Sequence, residues 1–271
     1  MAHTNIEIIR EANGLREMIG LTPKEPIVNI DESISNIGFI LAEENFGDNF
    51  AAFCTHLERD RFAIVLNKDQ QWNENFRRFT ISHEIGHLTL IQHRAALQRG
   101  NLEKSLPEFQ IYTPIEREAD YFAINFLAPR QAFEHASKLK DFSFESLFEI
   151  GNFFGISVLA TAFRFVELTD LPCSLISVDV ATGKIKYEKR SSEFRGLGFA
   201  EYLFGKRIPP RTNCYDVLRS SKDVFPITEQ VNLIDWYPDF GEKIECTESI
   251  LQLGYNNTLV VLLVLNEDIE K

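Results

Sequence analysis

With 271 residues, 44% of them hydrophobic and 25% charged, the chain has the composition of a globular protein long enough for one large domain or two to three small ones. Its net charge of -12 argues against a general binder of nucleic acid or anionic membrane, since both require a basic face. Four scattered cysteines, Cys54, Cys173, Cys214 and Cys246, form no C-x-x-C pair, which speaks against a disulfide framework and for reduced core residues of a cytoplasmic protein.

The opening MAHTNIEIIREANGLREMIG is patterned as an amphipathic helix with charges throughout, unlike an export signal. It is expected to end near Gly20, with Pro23 and Pro26 in the turn that follows. IGFILAEENF then reads as a strand, and NFAAFCTHLERDRFAIVLNKD as a hairpin turning near Glu58 to Asp60. FAIVLN is expected at an exposed sheet edge, where an extended substrate could add as a further strand. From Asn73 to about Gln98 the pattern predicts one helix. Pro107 and Pro114 bracket a connection into a second long helix, IEREADYFAINFLAP, stopped by Pro129.

A compact helical stretch, SFESLFEIGNFFGISVLATAFRFVEL, comes next. From Leu171 the pattern turns to strands, LPCSLISVDV, GKIKYEKR, EKIECTESILQLG and TLVVLLVL, with one helix around Gly198 to Gly205. That shift places a domain boundary at Thr169 to Pro172. No run reaches the roughly 18 apolar residues that span a bilayer.

The chemistry concentrates in FTISHEIGHLTLIQH. Four residues apart on a helix, His83 and His87 share a face and can converge on one ion. Glu84 projects to the adjacent side, where it can accept a proton from water on that ion. This is the H-E-x-x-H arrangement of a zinc peptidase.

The third ligand sets the subclass. His93 has the spacing of a three-histidine site, but Leu90 stands where that motif needs a turn-forming glycine. If the helix simply continues, His93 points far from the ligand face. A carboxylate from IEREAD is the alternative. Glu116 and Asp120 share a face, so one can bind the ion while the other orients a ligand histidine, and Ala119 lets the two helices approach. Glu118 competes for the role but projects about 200° from Glu116. Imidazole and carboxylate ligands suit zinc and also accept manganese or iron. Tyr112 and Tyr121 are both candidates for stabilising an oxyanion.

Three blocks, RFAIVLNKD, RRFTISHEIGHLTL and IEREADYFAINFLAP, together resemble the ImmA/IrrE family of metallopeptidases in order and spacing, over about Arg61 to Pro129. The resemblance independently selects Glu116 as third ligand. It departs in two places: Asp120 stands where the family usually has asparagine, and Phe126-Leu127-Ala128 replaces Leu-Leu-Met. It implies an α+β protein with a zincin-like metallopeptidase domain (1–130), a helix-turn-helix-like segment (131–170) and a C-terminal α/β GAF-like sensor domain (171–271). It also implies, as substrate, a helix-turn-helix repressor encoded nearby, cleaved to release stress or mobile-element genes.

The segment from Asp141 to Asp170 carries five acids against the single base Arg164, which is wrong for phosphate contact and implies a packing or partner-docking module without direct nucleic-acid binding. No membrane partner is expected, and a homodimer is compatible with the sequence. Two classes remain open: a zinc endopeptidase, or a non-proteolytic regulator that inactivates its partner by binding. The intact Glu84 favours the first.

Overall fold

A computed structural model describes residues 3–47, 50–58, 61–99, 104–105, 113–198, 202–220, 226–241, 243–254 and 257–266. The protein is of mixed α and β composition and divides into two compact units. One comprises Met1–His135 with Gly151–Ser157, the other Ala136–Ile150 with Val158–Lys271.

In the first unit, Thr4 and Glu7 form a reciprocal capping box that starts α1 (Asn5–Met18). Helix α1 packs on α5 (Pro114–Leu127), and the buried Arg16 guanidinium on α1 donates to the carbonyls of Phe126, Thr22 and Glu25. A short helix that the hydrophobic pattern missed, α2 (Ile30–Ile37), is nonetheless signalled in the sequence. Asn29 caps it, Asp31 and Glu32 occupy its first turn, and Gly38 ends it at φ 91°.

The sheet of this unit runs β1 (Ile40–Glu44), β3 (Phe62–Asn67), β2 (Ala52–His56), β4 (Lys104–Ser105), with β1 parallel to β3 and the other pairs antiparallel. FAIVLN, expected at an edge, is therefore interior. All six of its residues are buried, and a continuously apolar strand needs cover on both faces, which an edge position gives less readily. The expected hairpin forms between β2 and β3, but residues 59–60 of its turn lie outside the described residues.

The expected single helix from Asn73 to Gln98 is two, α3 (Glu74–Thr89) and α4 (Ile91–Gln98). The break is at Leu90, whose backbone is extended (φ -67°, ψ 120°) and whose side chain is fully buried. A turn into the left-handed region, which would need glycine, is not how the chain bends here. An extended residue makes the corner, and any side chain can adopt that conformation. Arg78 of α3 ties down the surrounding loops by donating to the carbonyls of Ile27, Val28, Phe154 and Gly155. Helix α6 (Arg130–Ser137) follows α5.

Helix α7 (Phe144–Phe154), which starts in the second unit and whose last four residues belong to the first, leads to α8 (Val158–Leu168) of the second, the two being bent by 103° across a break that contains Gly155 at φ 62°. Beyond them lies a five-stranded antiparallel sheet of β5 (Cys173–Asp179), β6 (Lys184–Arg190), β7 (Ile227–Asn232), β8 (Glu245–Leu253) and β9 (Thr258–Leu265), in the order β6-β5-β9-β8-β7. β7 was not expected because ITEQVN is largely polar; it is the exposed edge beside β8.

Phe194, Trp236, Val261 and Leu263 anchor the core of this unit, around helices α9 (Ser192–Gly196), α10 (Asn213–Ser220) and α11 (Leu233–Trp236). Within it, the buried Glu188 pairs with Arg190 at 2.6 Å and accepts from the Tyr237 hydroxyl at 2.7 Å. The helix expected around Gly198 to Gly205 lies earlier, at α9, where Ser191 supplies the cap. Residues 199–201 are outside the described residues, and Tyr202 to Gly205 is not helical. All four cysteines are buried free thiols. Among the described residues no single helix is long and apolar enough to cross a membrane.

Candidate metal centre

Helix α3 is built to be buried. Asn73 caps it by accepting from the Phe76 amide at 2.9 Å, and Ile81, Ile85 and Leu88 fill the core along one stripe. On another face, His83 and His87 sit one turn apart and both are buried. Helix α5 starts at Pro114 behind the cap Thr113, whose hydroxyl accepts from the Glu116 amide. The two helices meet at small residues, with Gly86 on α3 opposite Phe122 on α5 and Ala119 and Ala123 fully buried.

Gly86 is required by that approach, because an added Cβ would lie 3.1 Å from the Phe122 Cβ. Gly86→Val is expected to lower stability by about 1–3 kcal/mol through overpacking. Urea unfolding measures this, and an unchanged midpoint would contradict it.

The approach brings α5 to the histidines. His83 Nε2 and His87 Nε2 face each other at 3.0 Å. The Glu116 carboxylate lies 3.1 Å from the first and 3.5 Å from the second. One ligand atom from each of the three residues falls within 4.8 Å of the others. Two imidazole nitrogens aimed at one point beside a carboxylate are a fitting donor set for a divalent transition-metal ion.

Asp120, one turn along α5, lies 2.8 Å from His83 Nδ1. If His83 donates that proton, its Nε2 lone pair faces the other donors, the usual arrangement of a carboxylate behind a ligating histidine. Asp120→Ala is therefore expected to weaken zinc binding about 10–100-fold, as removal of such a supporting partner does. A zinc titration against a chelating indicator would show it, and unchanged affinity would count against the role.

Burial alone would lower the His83 pKa, but hydrogen bonds to Asp120 and Glu116 and the charges of Asp120 and Glu84 outweigh it and push the pKa up to about 10. Glu116 is likewise resisted by burial yet held well below the ordinary carboxylate range by His83 and His87. The signs have a consequence for the metal-free protein. A histidine raised from 6.5 to about 10 contributes stability that is complete below 6.5 and lost as pH rises towards 10. An incoming cation must displace that proton, so zinc affinity is expected to rise about tenfold per pH unit between pH 7 and 8.5. A pH-independent dissociation constant over that interval would be the contrary result.

Glu84 is fully buried on α3, against β2. Its neighbour there is Cys54, whose place beside the carboxylate nothing in the sequence signals. Burial, then the charge of Glu84 and a hydrogen bond to it, push the Cys54 thiol well above its ordinary value, so it stays protonated beside the carboxylate. Asn67 was legible only as the end of a strand. Its carboxamide bonds the backbone of Phe46, Gly47, Phe50 and Asp69, closing the loops at that end of the sheet. Tyr121 is half-buried on α5, and Tyr112 lies outside the described residues. Glu118 and His93 do not join His83, His87 and Glu116; they meet each other, at 3.1 Å.

These elements define a class: an α+β protein in which an H-E-x-x-H helix lies against a helix bearing carboxylates. Within it, residues 50–166 match the family Peptidase_M78, described as the IrrE N-terminal-like domain. Among solved structures, a Mycobacterium tuberculosis transcriptional regulator is similar, with a TM-score of 0.61 at 15% identity over 96% of this chain and 76% of that one. At that identity the likeness is one of fold. No curated protein sequence matches the chain.

Proposed function

We propose that this protein is a zinc-dependent endopeptidase that cleaves a helix-turn-helix repressor encoded nearby, releasing stress or mobile-element genes. In this reading His83, His87 and Glu116 hold the ion, Glu84 is the general base and Asp120 orients His83. The convergence of the two Nε2 atoms with the Glu116 carboxylate carries the reading, and the family of residues 50–166 supports it.

When bound, the ion would supply Lewis acidity, lowering the pKa of water towards about 7 and polarising a peptide carbonyl. The chain's own residues do the rest. Glu84, adjacent to His83 in a dry setting, takes the proton as the carbonyl is attacked and passes it to the departing amine. Asp120 keeps the His83 proton on Nδ1, away from the ion. Manganese or iron would satisfy the same donors.

The proposed organisation is a zincin-like peptidase domain over 1–130, a helix-turn-helix-like docking segment over 131–170 and a GAF-like sensor over 171–271. The 103° bend between α7 and α8 and the scarcity of bases there support a module that docks protein in preference to DNA. The five-stranded antiparallel sheet with its flanking helices supports the third part.

The test is direct. Incubated with zinc and the repressor encoded beside its gene, the protein is expected to cut it, to stop when the metal is chelated and to resume when zinc is returned. Loss of repressor activity without any cut, equal for wild type and Glu84→Gln, would instead assign the chain to regulators that act by binding.

A further inference from the structure

The two residues set aside as ligands of the first cluster build a second one. Glu118 Oε2 lies 2.5 Å from His3 Nδ1 and 3.1 Å from His93 Nε2, while Glu118 Oε1 accepts from the His3 amide at 3.1 Å. One donor atom from each of His3, His93 and Glu118 falls within 4.8 Å of the others, the same closeness as in the first cluster. The group is well shielded: side-chain exposure is 7% for His3, 2% for His93 and 10% for Glu118.

Both imidazoles address one carboxylate oxygen, and their remaining nitrogens, His3 Nε2 and His93 Nδ1, are buried with no hydrogen-bond partner among the described residues. An ion among the facing nitrogens would leave those two unchanged; what points to an ion is the convergence of two imidazole nitrogens and a carboxylate in one shielded place. A cation seated among the three donors would replace two shared hydrogen bonds with three coordinate bonds. Two imidazoles and one carboxylate suit zinc and its first-row neighbours and are poor ligands for calcium or magnesium.

We infer that His3, His93 and Glu118 form a second divalent-cation site, distinct from His83, His87 and Glu116, that fastens the segment before α1 and the start of α4 to α5. The break at Leu90 is what delivers His93 to it. Its ring stays 5.0 Å from that of His87, so the two sites are neighbours that share α5. The inference does not depend on peptidase activity, since it concerns ion uptake alone.

The experiment counts zinc bound per chain, by elemental analysis after equilibration in a weakly chelating buffer, with circular dichroism to certify folding. The wild type is expected to retain two ions, and His3→Gln and His93→Gln one each. The double variant His83→Ala/His87→Ala, which removes the first site, is expected to keep one, which His3→Gln then eliminates. Zinc should also raise the melting temperature of that double variant but not of the triple variant. A single ion in the folded wild type that His3→Gln and His93→Gln both keep, or two in either folded single variant, would overturn the second site and leave the first untouched. Absence of zinc from the first site alone would overturn the peptidase reading and leave the second standing.

Discussion

Glu84→Gln is expected to retain the fold and the metal while lowering cleavage of the repressor by on the order of 10²–10⁴-fold, the range attached to a positioned general base. Glutamine keeps the volume of a side chain that is fully buried between α3 and β2, so little repacking is required. It also keeps a group able to meet the Cys54 thiol. What it removes is the capacity to take a proton at neutral pH. Glu84 does not belong to the group of three converging donors, so zinc content should be unchanged. Single-turnover cleavage and elemental analysis on the same sample separate the two quantities. Cleavage at the wild-type rate would dismiss Glu84 as the base, and a matching loss of zinc would show that the variant had damaged the site as a whole.

Removal of a donor should act differently. His87→Ala and Glu116→Ala are each expected to lose the ion and, with it, all detectable cleavage. The decline in zinc affinity should exceed the 10–100-fold expected for loss of the supporting Asp120, because a ligand contributes directly what its partner only orients. His87→Ala leaves Glu116 facing one imidazole where two now hold its charge, and Glu116→Ala leaves two Nε2 atoms 3.0 Å apart without the carboxylate. Calorimetric zinc titration checks both variants. Wild-type affinity in either would remove that residue from the ligand set.

Each half of the His83, His87 and Glu116 cluster was legible because its spacing is local to one helix. The spacing of His83 and His87 fixes two donors on one helical face, and the spacing of Glu116 and Asp120 does the same on α5. What the sequence left open depends on where chain segments distant in sequence come to rest. The acidic Glu118 and the apparently redundant His93 each looked dispensable alone, and nothing in their spacing announces His3, which is 115 residues from Glu118.

Composition, periodicity and spacing determined by themselves that helices run through the H-E-x-x-H stretch and through IEREADYFAINFL, that the C-terminal third is rich in strands, and which side chains on each helix could share an ion. Tertiary structure alone decided that FAIVLN is interior, that α3 and α4 part at a buried Leu90, that Cys54 abuts Glu84, and that His3, His93 and Glu118 gather in one place. The division follows range. Helical periodicity is set by bonds between residues four apart, which a sequence displays directly. Strand neighbours, helix corners and clusters drawn from three segments are set by which buried surfaces fit together, and that is settled only when the whole core has packed.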